Sequence, residues 1–339
     1  MRLSDLEYHL PDELVAQQPV EPRDAARLLV DRGSAPPDHR RVSDLVDLLG
    51  EGDLLVVNDS RVIPARLHLQ RASGGAVEVL LIEPVASWNG PWKALVRPGG
   101  KLRAGETLFG GDGEALATFE GRHADGDTFV VSLVADDEAS LTRLLDRHGS
   151  MPLPPYIRSS GGDPARYQTV YANRPGSAAA PTAGLHFTDH LLRDLAGRGV
   201  GLARVELVVG LDTFQPIQVD DPLRHRIHTE SYSVPADTLD ASRASLRVVS
   251  VGTTSVRSLE TAAATGRLSG RTDLFIHRGF RWSVVDLMMT NFHMPRTTLL
   301  MMIDAFVGDR WRRLYETAVE QRYRFLSFGD AMLLDRGLS

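Results

Sequence analysis

The sequence lacks cysteine entirely across its 339 residues. This absence excludes disulfide bonds, thiolate nucleophiles and cysteine-held zinc or iron–sulfur centres, and it favours a reducing compartment. The chain also lacks any apolar run near the ~20 residues that a membrane-spanning helix requires, and acidic residues interrupt its first dozen positions. No signal-peptide pattern is visible, so we expect a cytoplasmic protein.

Positive charge is in short supply as well, since the formal net charge is -6 and the isoelectric point lies near 6.0. On average such a chain repels a polyanion, so bulk electrostatics does not support nucleic-acid binding. Arginines dominate the 38 basic residues and cluster at 310–313, 322–324 and 224–226. These clusters could contact phosphates, but solvated helix faces paired with Glu316 and Glu320 account for the first two at least as well.

The remaining composition is that of a folded globular protein, with 42% hydrophobic and 24% charged residues. The length exceeds the ~100–200 residues of a typical domain, so we expect two domains with a cleft between them. The compact apolar run at 53–58 predicts a strand buried on both faces. From 65 to 134, six short β-rich segments separated by glycine-rich turns predict a small six-stranded β-barrel.

The proline-rich segment 151–157 predicts an extended linker where the barrel ends. Beyond it, helices and strands alternate, which indicates a mostly parallel sheet with covered faces. We therefore predict an α/β domain formed by residues 1–64 and 151–339, interrupted by an inserted β-barrel domain of residues 65–150. In the second part of the α/β domain, the predicted helices lie at 190–198, 236–245, 255–265, 297–306 and 310–321, and the predicted strands at 202–209, 247–251 and 274–280.

Polar residues follow three of the apolar runs directly. In an open α/β sheet, ligands bind beyond the carboxyl ends of the strands, so these positions are candidate site residues. They are the segments 58–61, 210–213 and 252–257.

The segment GTTSVRSLE (252–260) places a glycine and three hydroxyls at a strand-to-helix turn. Backbone donors and the positive end of a helix favour a carboxylate or phosphate there. The alternative is a plain helix N-cap by Thr254 or Ser255, with Ser255 to Arg257 facing solvent. The segment lacks the lysine of a Walker loop, and no GxGxxG follows a strand, so a Rossmann dinucleotide site is disfavoured.

Histidines mark two further segments. PGSAAAPTAGLHF (175–187) gathers small residues ahead of His186, which allows close approach to a flat ligand, although a buried turn with His186 bonded to a carbonyl is the alternative. His225, His228 and Glu230 lie within six residues, but no helical i, i+4 face supports a metal site. A general acid/base role for His228 or Glu230 fits better, with a surface salt link as the alternative.

Together the motifs resemble the S-adenosylmethionine:tRNA ribosyltransferase-isomerases, and the resemblance runs nearly from end to end. It implies an α/β domain interrupted by a six-stranded barrel, and transfer of the ribosyl part of S-adenosylmethionine to the aminomethyl group of 7-aminomethyl-7-deazaguanine in tRNA. The products would be epoxyqueuosine, adenine and methionine, and no metal would be needed. The motifs include NDSRVIPARL (58–67), RPGGKLRAG (97–105), PGSAAAPTAGLHF, IHTE (227–230), GTTSVRSLE, TNFHMP (290–295) and YRFLSFGDAML (323–333).

The resemblance assigns roles at matching positions. The implied catalytic residues are His186, His228, Glu230 and His293. The implied cofactor-binding residues are Asp59, Arg61, Thr253, Thr254, Ser255, Arg257 and Asn291, of which Thr253, Thr254, Ser255 and Arg257 would hold the amino-acid end. The implied substrate-pocket residues are Gly210, Asp212, Thr213 and Phe214. The implied partner is the anticodon arm of tRNA, and a monomer is favoured.

The chain departs from the family pattern at four positions. Val208 stands in place of a histidine, Asp212 adds an acid, Arg278 replaces a proline before Gly279, and Asp304 replaces a serine. Added acids in a pocket suit a cationic ligand and disfavour tRNA phosphate. Two alternatives therefore stay open: a paralogue that uses the same cofactor on a free deazapurine or small amine, and an inactive tRNA- or nucleoside-binding protein.

Overall fold

In the computed structural model of the protein, the residues described are 2–124, 126–158, 163–209, 217, 219–225, 227 and 229–338. Five predicted site residues lie outside these ranges: Gly210, Asp212, Thr213, Phe214 and His228.

Eighteen strands and seven α-helices occur within these ranges. The strands are β1 (Arg27–Val30), β2 (Asp38–Arg41), β3 (Asp53–Asn58), β4 (Ser60–Val62), β5 (Arg66–Arg71), β6 (Ala76–Pro84), β7 (Trp92–Arg97), β8 (Glu106–Phe109), β9 (Ala115–Arg122), β10 (Phe129–Leu133), β11 (Gly149–Ser150), β12 (Arg174–Ser177), β13 (Gly201–Leu207), β14 (Glu230–Ser233), β15 (Arg247–Val251), β16 (Ser269–Thr272), β17 (Leu287–Asn291) and β18 (Ala331–Asp335). The helices are α1 (Leu45–Leu48), α2 (Glu138–His148), α3 (Asp189–Gly197), α4 (Ala236–Ala244), α5 (Gly252–Thr265), α6 (Thr298–Val307) and α7 (Arg310–Glu320).

The main sheet has nine strands in the order β16-β14-β13-β3-β15-β17-β18-β1-β2. Its central strands β13, β3, β15 and β17 are parallel neighbours, and β1 runs parallel to β18. The other pairs are antiparallel, so the sheet is mixed, with its parallel part at the centre. The carboxyl ends of the four central strands therefore meet at one edge, where ligands bind in such sheets.

Both faces of this sheet are covered by helices. Along β3, Leu54 and Val56 belong to one buried cluster together with residues of α4, α5, α6 and α7. The alternating residues Leu55 and Val57 belong to a second cluster, which includes residues of α1 and α3. Because a strand directs successive side chains to opposite faces, an apolar run without alternation has to be buried on both.

Strands β5, β6, β7, β10, β9 and β8 form a closed antiparallel barrel, because β5 also pairs with β8. The barrel has its own buried cluster, in which Trp92 is fully buried and Leu141, Leu144 and Leu145 of α2 take part. The predicted fold class, an α/β fold interrupted by a six-stranded barrel, is confirmed. The main sheet is mixed rather than mostly parallel, because four of its eight strand pairs are antiparallel. We propose residues 65–150 as an inserted domain on the basis of this separate cluster.

One predicted element is wrong. The segment 274–280 forms no strand; the strand β16 ends earlier, at Thr272. The carbonyl of Leu274 accepts a hydrogen bond from the Arg257 guanidinium instead of from a neighbouring strand, and Ile276 is buried in the main cluster. The apolar residues of this segment thus cover the core without joining the sheet. In the part of the chain that the structure describes, no helix has both the length and the apolar character of a membrane span.

Candidate active site

The first part of the site forms where β15 leads directly into α5. Val251 ends the strand, and Gly252 begins the helix with φ of 83°, a conformation that glycine adopts readily. The first backbone N–H groups of this 14-residue helix have no partner within the helix, and the helix dipole is positive at this end. They open into a cavity that we call the helix pocket, lined by Thr182, Thr253, Thr254, Asn291, His293 and Leu299 among others.

The three hydroxyls of the helix start have different environments. Thr253 and Thr254 line the helix pocket, and the buried Oγ1 of Thr254 has no hydrogen-bond partner in the protein. Ser255 is fully buried, and its hydroxyl donates to the carbonyl of Val251 at 2.8 Å. The helix start has no side-chain cap, so the alternative in which Thr254 or Ser255 caps a solvent-facing helix start is wrong.

Asn291, the last residue of β17, is held by a network of hydrogen bonds. Its Nδ2 lies 3.1 Å from Nε2 of His186 and 3.4 Å from the carbonyl oxygen of Asp330, and its Oδ1 accepts from Thr182 at 3.0 Å. Because Nδ2 donates, His186 accepts through Nε2 and carries its proton on Nδ1. Burial, with Arg324 and Arg23 nearby, lowers the pKa of His186 to about 4. His186 is therefore a neutral imidazole. It contacts Asn291 but does not itself line the helix pocket.

His293 lines the helix pocket and is fixed through its own peptide group. Its N–H donates to the hydroxyl of Tyr315 at 3.1 Å, and its carbonyl accepts from the hydroxyl of Tyr8. Its Nε2 lies 3.1 Å from Oγ1 of Thr290. Burial lowers the pKa of His293 to about 3, so this imidazole is also neutral at pH 7. No sequence pattern predicted that Tyr8 and Tyr315 would hydrogen-bond to the backbone of His293.

The second part of the site is a cavity between the main sheet and the barrel. We call it the junction pocket; it is lined by Glu83, Lys93, Glu230, Arg257, Phe275 and Leu299 among others. Leu299 lines both cavities, so the two adjoin. The space within them, including the part open to solvent, is about 780 and 630 Å³.

Glu230 and Arg257 form an ion pair in the junction pocket, and both are buried. Arg257 also donates from Nε to the carbonyl of Leu274 at 3.2 Å. Burial lowers the pKa of Arg257 to about 10, which leaves the guanidinium charged at pH 7. Arg257 therefore lines the junction pocket, whereas Thr253 and Thr254, which the resemblance groups with it, line the helix pocket.

Asp59 and Arg61 line neither pocket. Asp59 is buried after β3, where desolvation raises its pKa while Arg174 and Arg204 oppose the increase. Arg61 is exposed on β4. The neighbouring Asn58 has a structural role, since its amide exchanges hydrogen bonds with the backbone of Leu207 at 3.1 and 3.3 Å and joins two parallel strands.

The two departures Arg278 and Asp304 lie against each other. Arg278 binds the carboxylate of Asp304 through Nε at 2.7 Å and Nη2 at 2.8 Å, and Trp311 donates to it at 2.8 Å. Arg278 thus offsets the charge of Asp304, which lines neither the helix pocket nor the junction pocket. Val208 does line the junction pocket.

Among the described residues, Asp112, Glu114 and His148 form the one group of three side chains that could share a metal ion. They lie on the barrel, away from both pockets. Arg147 already contacts the two acids at 3.1 and 3.3 Å.

The structure is that of an α/β protein with an inserted barrel and two adjoining cavities near the carboxyl ends of its central strands. Residues 3–334 match the family model of the queuosine biosynthesis proteins, and the chain belongs to this family. It is 50% identical to the S-adenosylmethionine:tRNA ribosyltransferase-isomerase of Symbiobacterium thermophilum, over 98% of this chain and 100% of that protein. The corresponding protein of Rubrobacter xylanophilus is 48% identical, over 98% of each chain. A crystal structure of the S-adenosylmethionine tRNA ribosyltransferase from Thermotoga maritima matches 97% of this chain and 99% of that one, with a TM-score of 0.55 and 38% identity.

Proposed function

We propose that this protein is an S-adenosylmethionine-dependent ribosyltransferase-isomerase that modifies tRNA. In the proposed reaction, the ribosyl part of S-adenosylmethionine is transferred to the aminomethyl group of 7-aminomethyl-7-deazaguanine in tRNA and rearranged to epoxyqueuosine. Adenine and methionine leave. The observation that carries the proposal is the 50% identity to a relative of that name over nearly the whole of both chains. A cytoplasmic location is part of the proposal, because tRNA is the substrate.

The helix pocket suits the adenosine part of S-adenosylmethionine. Its described lining offers backbone N–H groups, hydroxyls, the amide of Asn291 and the neutral imidazole of His293, but no carboxylate. Adenine and ribose are uncharged and rich in hydrogen-bond acceptors, so such a lining matches them without introducing a net charge. In this proposal His186 is a positioning residue, since it contacts the pocket only through Asn291.

The reaction requires a base, because the sulfonium acidifies the adjacent 5′ carbon and its proton has to be removed. His186 contacts Asn291 and lines neither pocket, and Nε2 of His293 lies 3.1 Å from the hydroxyl of Thr290. The carboxylate of Glu230 lines the pocket beside the helix pocket. We therefore assign the base to Glu230, and His293 to hydrogen bonding with the substrate.

The experiment that tests the function measures adenine release from S-adenosylmethionine by the purified protein. One arm supplies tRNA bearing 7-aminomethyl-7-deazaguanine, and the other supplies the free base. Release with tRNA alone is expected. Release with the free base would identify a paralogue that acts on a small molecule, and no release in either arm would favour an inactive binding protein.

The role of Glu230 is tested with Glu230→Gln, which should lower the rate ~10²–10⁴-fold and leave substrate binding largely intact. Glu316→Gln, at an exposed position on α7, is the matched control and should react at the wild-type rate. An unchanged rate for Glu230→Gln would reject the assignment.

A further inference from the structure

The junction pocket contains four charged side chains of balanced sign. Glu230 and Arg257 come from the main sheet and α5, whereas Glu83 and Lys93 come from the barrel strands β6 and β7. The exposed fractions of their side chains are 6%, 5%, 13% and 16%, respectively. All four are paired within the protein, Glu230 with Arg257, and Glu83 with Arg271 and Lys93. A ligand that carries both signs can join these pairs without leaving a charge unpaired.

Resting on the function proposed above, we infer that the junction pocket binds the zwitterionic amino-acid end of S-adenosylmethionine and of the methionine that leaves. The ligand carboxylate faces Lys93 and Arg257, and its ammonium group faces Glu83, which leaves Glu230 to act as the base. The barrel thus supplies one cation and one anion of this subsite.

The helix pocket is the competing location for the amino-acid end. Its helix N-terminus and the unpartnered Oγ1 of Thr254 can receive a carboxylate. However, none of its described lining residues is acidic, so the ammonium group of an amino acid would have no anionic partner there. The junction pocket has both cationic and anionic side chains in its lining.

The barrel wall of the junction pocket is held in place by a separate ion pair. Arg271 of β16 binds the two carboxylate oxygens of Glu83 at 2.9 Å each, and Lys93 lies 3.9 Å from the same carboxylate. Bidentate pairs of this kind fix the orientation of a carboxylate. Lys93 is also one of only two lysines among the 38 basic residues of the chain, the other being the exposed Lys101. One of the two lysine ammonium groups of the chain therefore lies in the barrel wall of the junction pocket.

The test compares two ligands that differ in the amino-acid end. S-Adenosylhomocysteine carries it, and 5′-methylthioadenosine lacks it. Calorimetry of the full chain should show that Lys93→Met lowers the affinity for S-adenosylhomocysteine ~10–100-fold, as expected for a lost charged hydrogen bond. The affinity for 5′-methylthioadenosine should stay unchanged. Lys101→Met, at the other lysine of the barrel, should change neither affinity.

Equal affinities of wild type and Lys93→Met for S-adenosylhomocysteine would overturn the inference, even when the wild-type protein releases adenine. A selective loss of S-adenosylhomocysteine binding in Thr254→Val, without one in Lys93→Met, would assign the amino-acid end to the helix pocket. If the wild type binds neither ligand and releases no adenine, the proposed function fails together with the inference.

A second measurement keeps Lys93 in place, so it does not depend on the folding of Lys93→Met. Reductive methylation with ¹³C-formaldehyde labels the two lysines and the chain amine while keeping their charge, and Lys101→Met identifies the Lys101 signal. L-Methionine should shift the Lys93 signal and leave that of Lys101 in place, whereas adenine should shift neither. A Lys93 signal that stays unmoved at saturating S-adenosylhomocysteine would also contradict the inference.

Discussion

His186 binds Asn291 only as a neutral imidazole, and this makes the stability of the protein depend on pH. Its folded-state pKa of about 4 lies below the ordinary value of 6.5. Between these values the unfolded chain binds more protons than the folded one, so stability is lost as the pH falls from about 6.5 to 4. For His186 the loss should reach about 3 kcal/mol.

Urea denaturation at pH 7 and pH 4.5 measures this loss. In His186→Gln the amide oxygen can still accept from Asn291 but does not titrate, so the decrease between the two pH values should be smaller than in the wild type by roughly 2–3 kcal/mol. Equal decreases in the two proteins would show that His186 is not held neutral.

Arg278 and Asp304 provide a second prediction for single residues. The carboxylate of Asp304 is 3% exposed, whereas the Arg278 side chain is 46% exposed, so solvent screens part of the pair. A double-mutant cycle with Arg278→Met and Asp304→Asn should give a coupling energy of about 1–2 kcal/mol in the free energy of unfolding. S-Adenosylhomocysteine affinity should be unaffected in Asp304→Asn; a weaker affinity would return Asp304 to the ligand site.

At the scale of elements, Glu260 connects α5 to the segment just before β17, the strand that carries Asn291. Its carboxylate is fully buried and accepts from the backbone N–H groups of residues 283, 284 and 285 at 2.7, 3.1 and 2.9 Å. Glu260→Gln replaces one acceptor by a donor that faces N–H groups, and should cost about 2–4 kcal/mol of stability. Chemical denaturation checks this, with Glu316→Gln at an exposed helical position within about 0.5 kcal/mol of wild type. A similarly small effect for Glu260→Gln would show that the three bonds contribute little.

The predicted elements succeeded where local pattern decides the structure. The run 53–58 coincides with β3, and the six barrel strands lie between Arg66 and Leu133, within the predicted span 65–134. The pattern failed at 274–280, where an apolar run covers the core while Arg257 takes its backbone acceptor. The strand β17 was not predicted, because five buried residues in a row carry no period that separates a strand from a buried helix.

At the scale of the whole molecule, the sequence could not show how the site is divided between two cavities. The segment GTTSVRSLE correctly predicted a strand-to-helix turn with hydroxyls at its start. One helical turn further on, however, Arg257 points to a different cavity from Thr253. Lys93 and Glu83 were missed because their proximity to Glu230 depends on how the barrel meets the main sheet, which no local pattern encodes.

The arginine clusters bear on where tRNA approaches. Arg310 is paired with Asp31 at 3.0 Å, and Arg313 binds the backbone carbonyls of residues 33–35. Glu316 and Glu320 were the predicted partners of these arginines. In the structure both arginines instead bind the loop after β1. Arg224 differs, because it is exposed and adjoins His225 in the lining of the junction pocket. Arg224 is therefore better placed than Arg310 and Arg313 for phosphate contact beside the junction pocket.

Salt titration tests this orientation. tRNA affinity should fall steeply with salt concentration, because bound phosphates release counterions, whereas S-adenosylhomocysteine affinity should change little. Arg224→Gln should weaken tRNA binding and reduce the slope of log affinity against log salt by about 1. Arg313→Gln, which loses only bonds within the protein, should lower stability and leave that slope unchanged. A smaller slope in Arg313→Gln instead would show that tRNA binds on the α7 side of the protein and reaches the pockets from there.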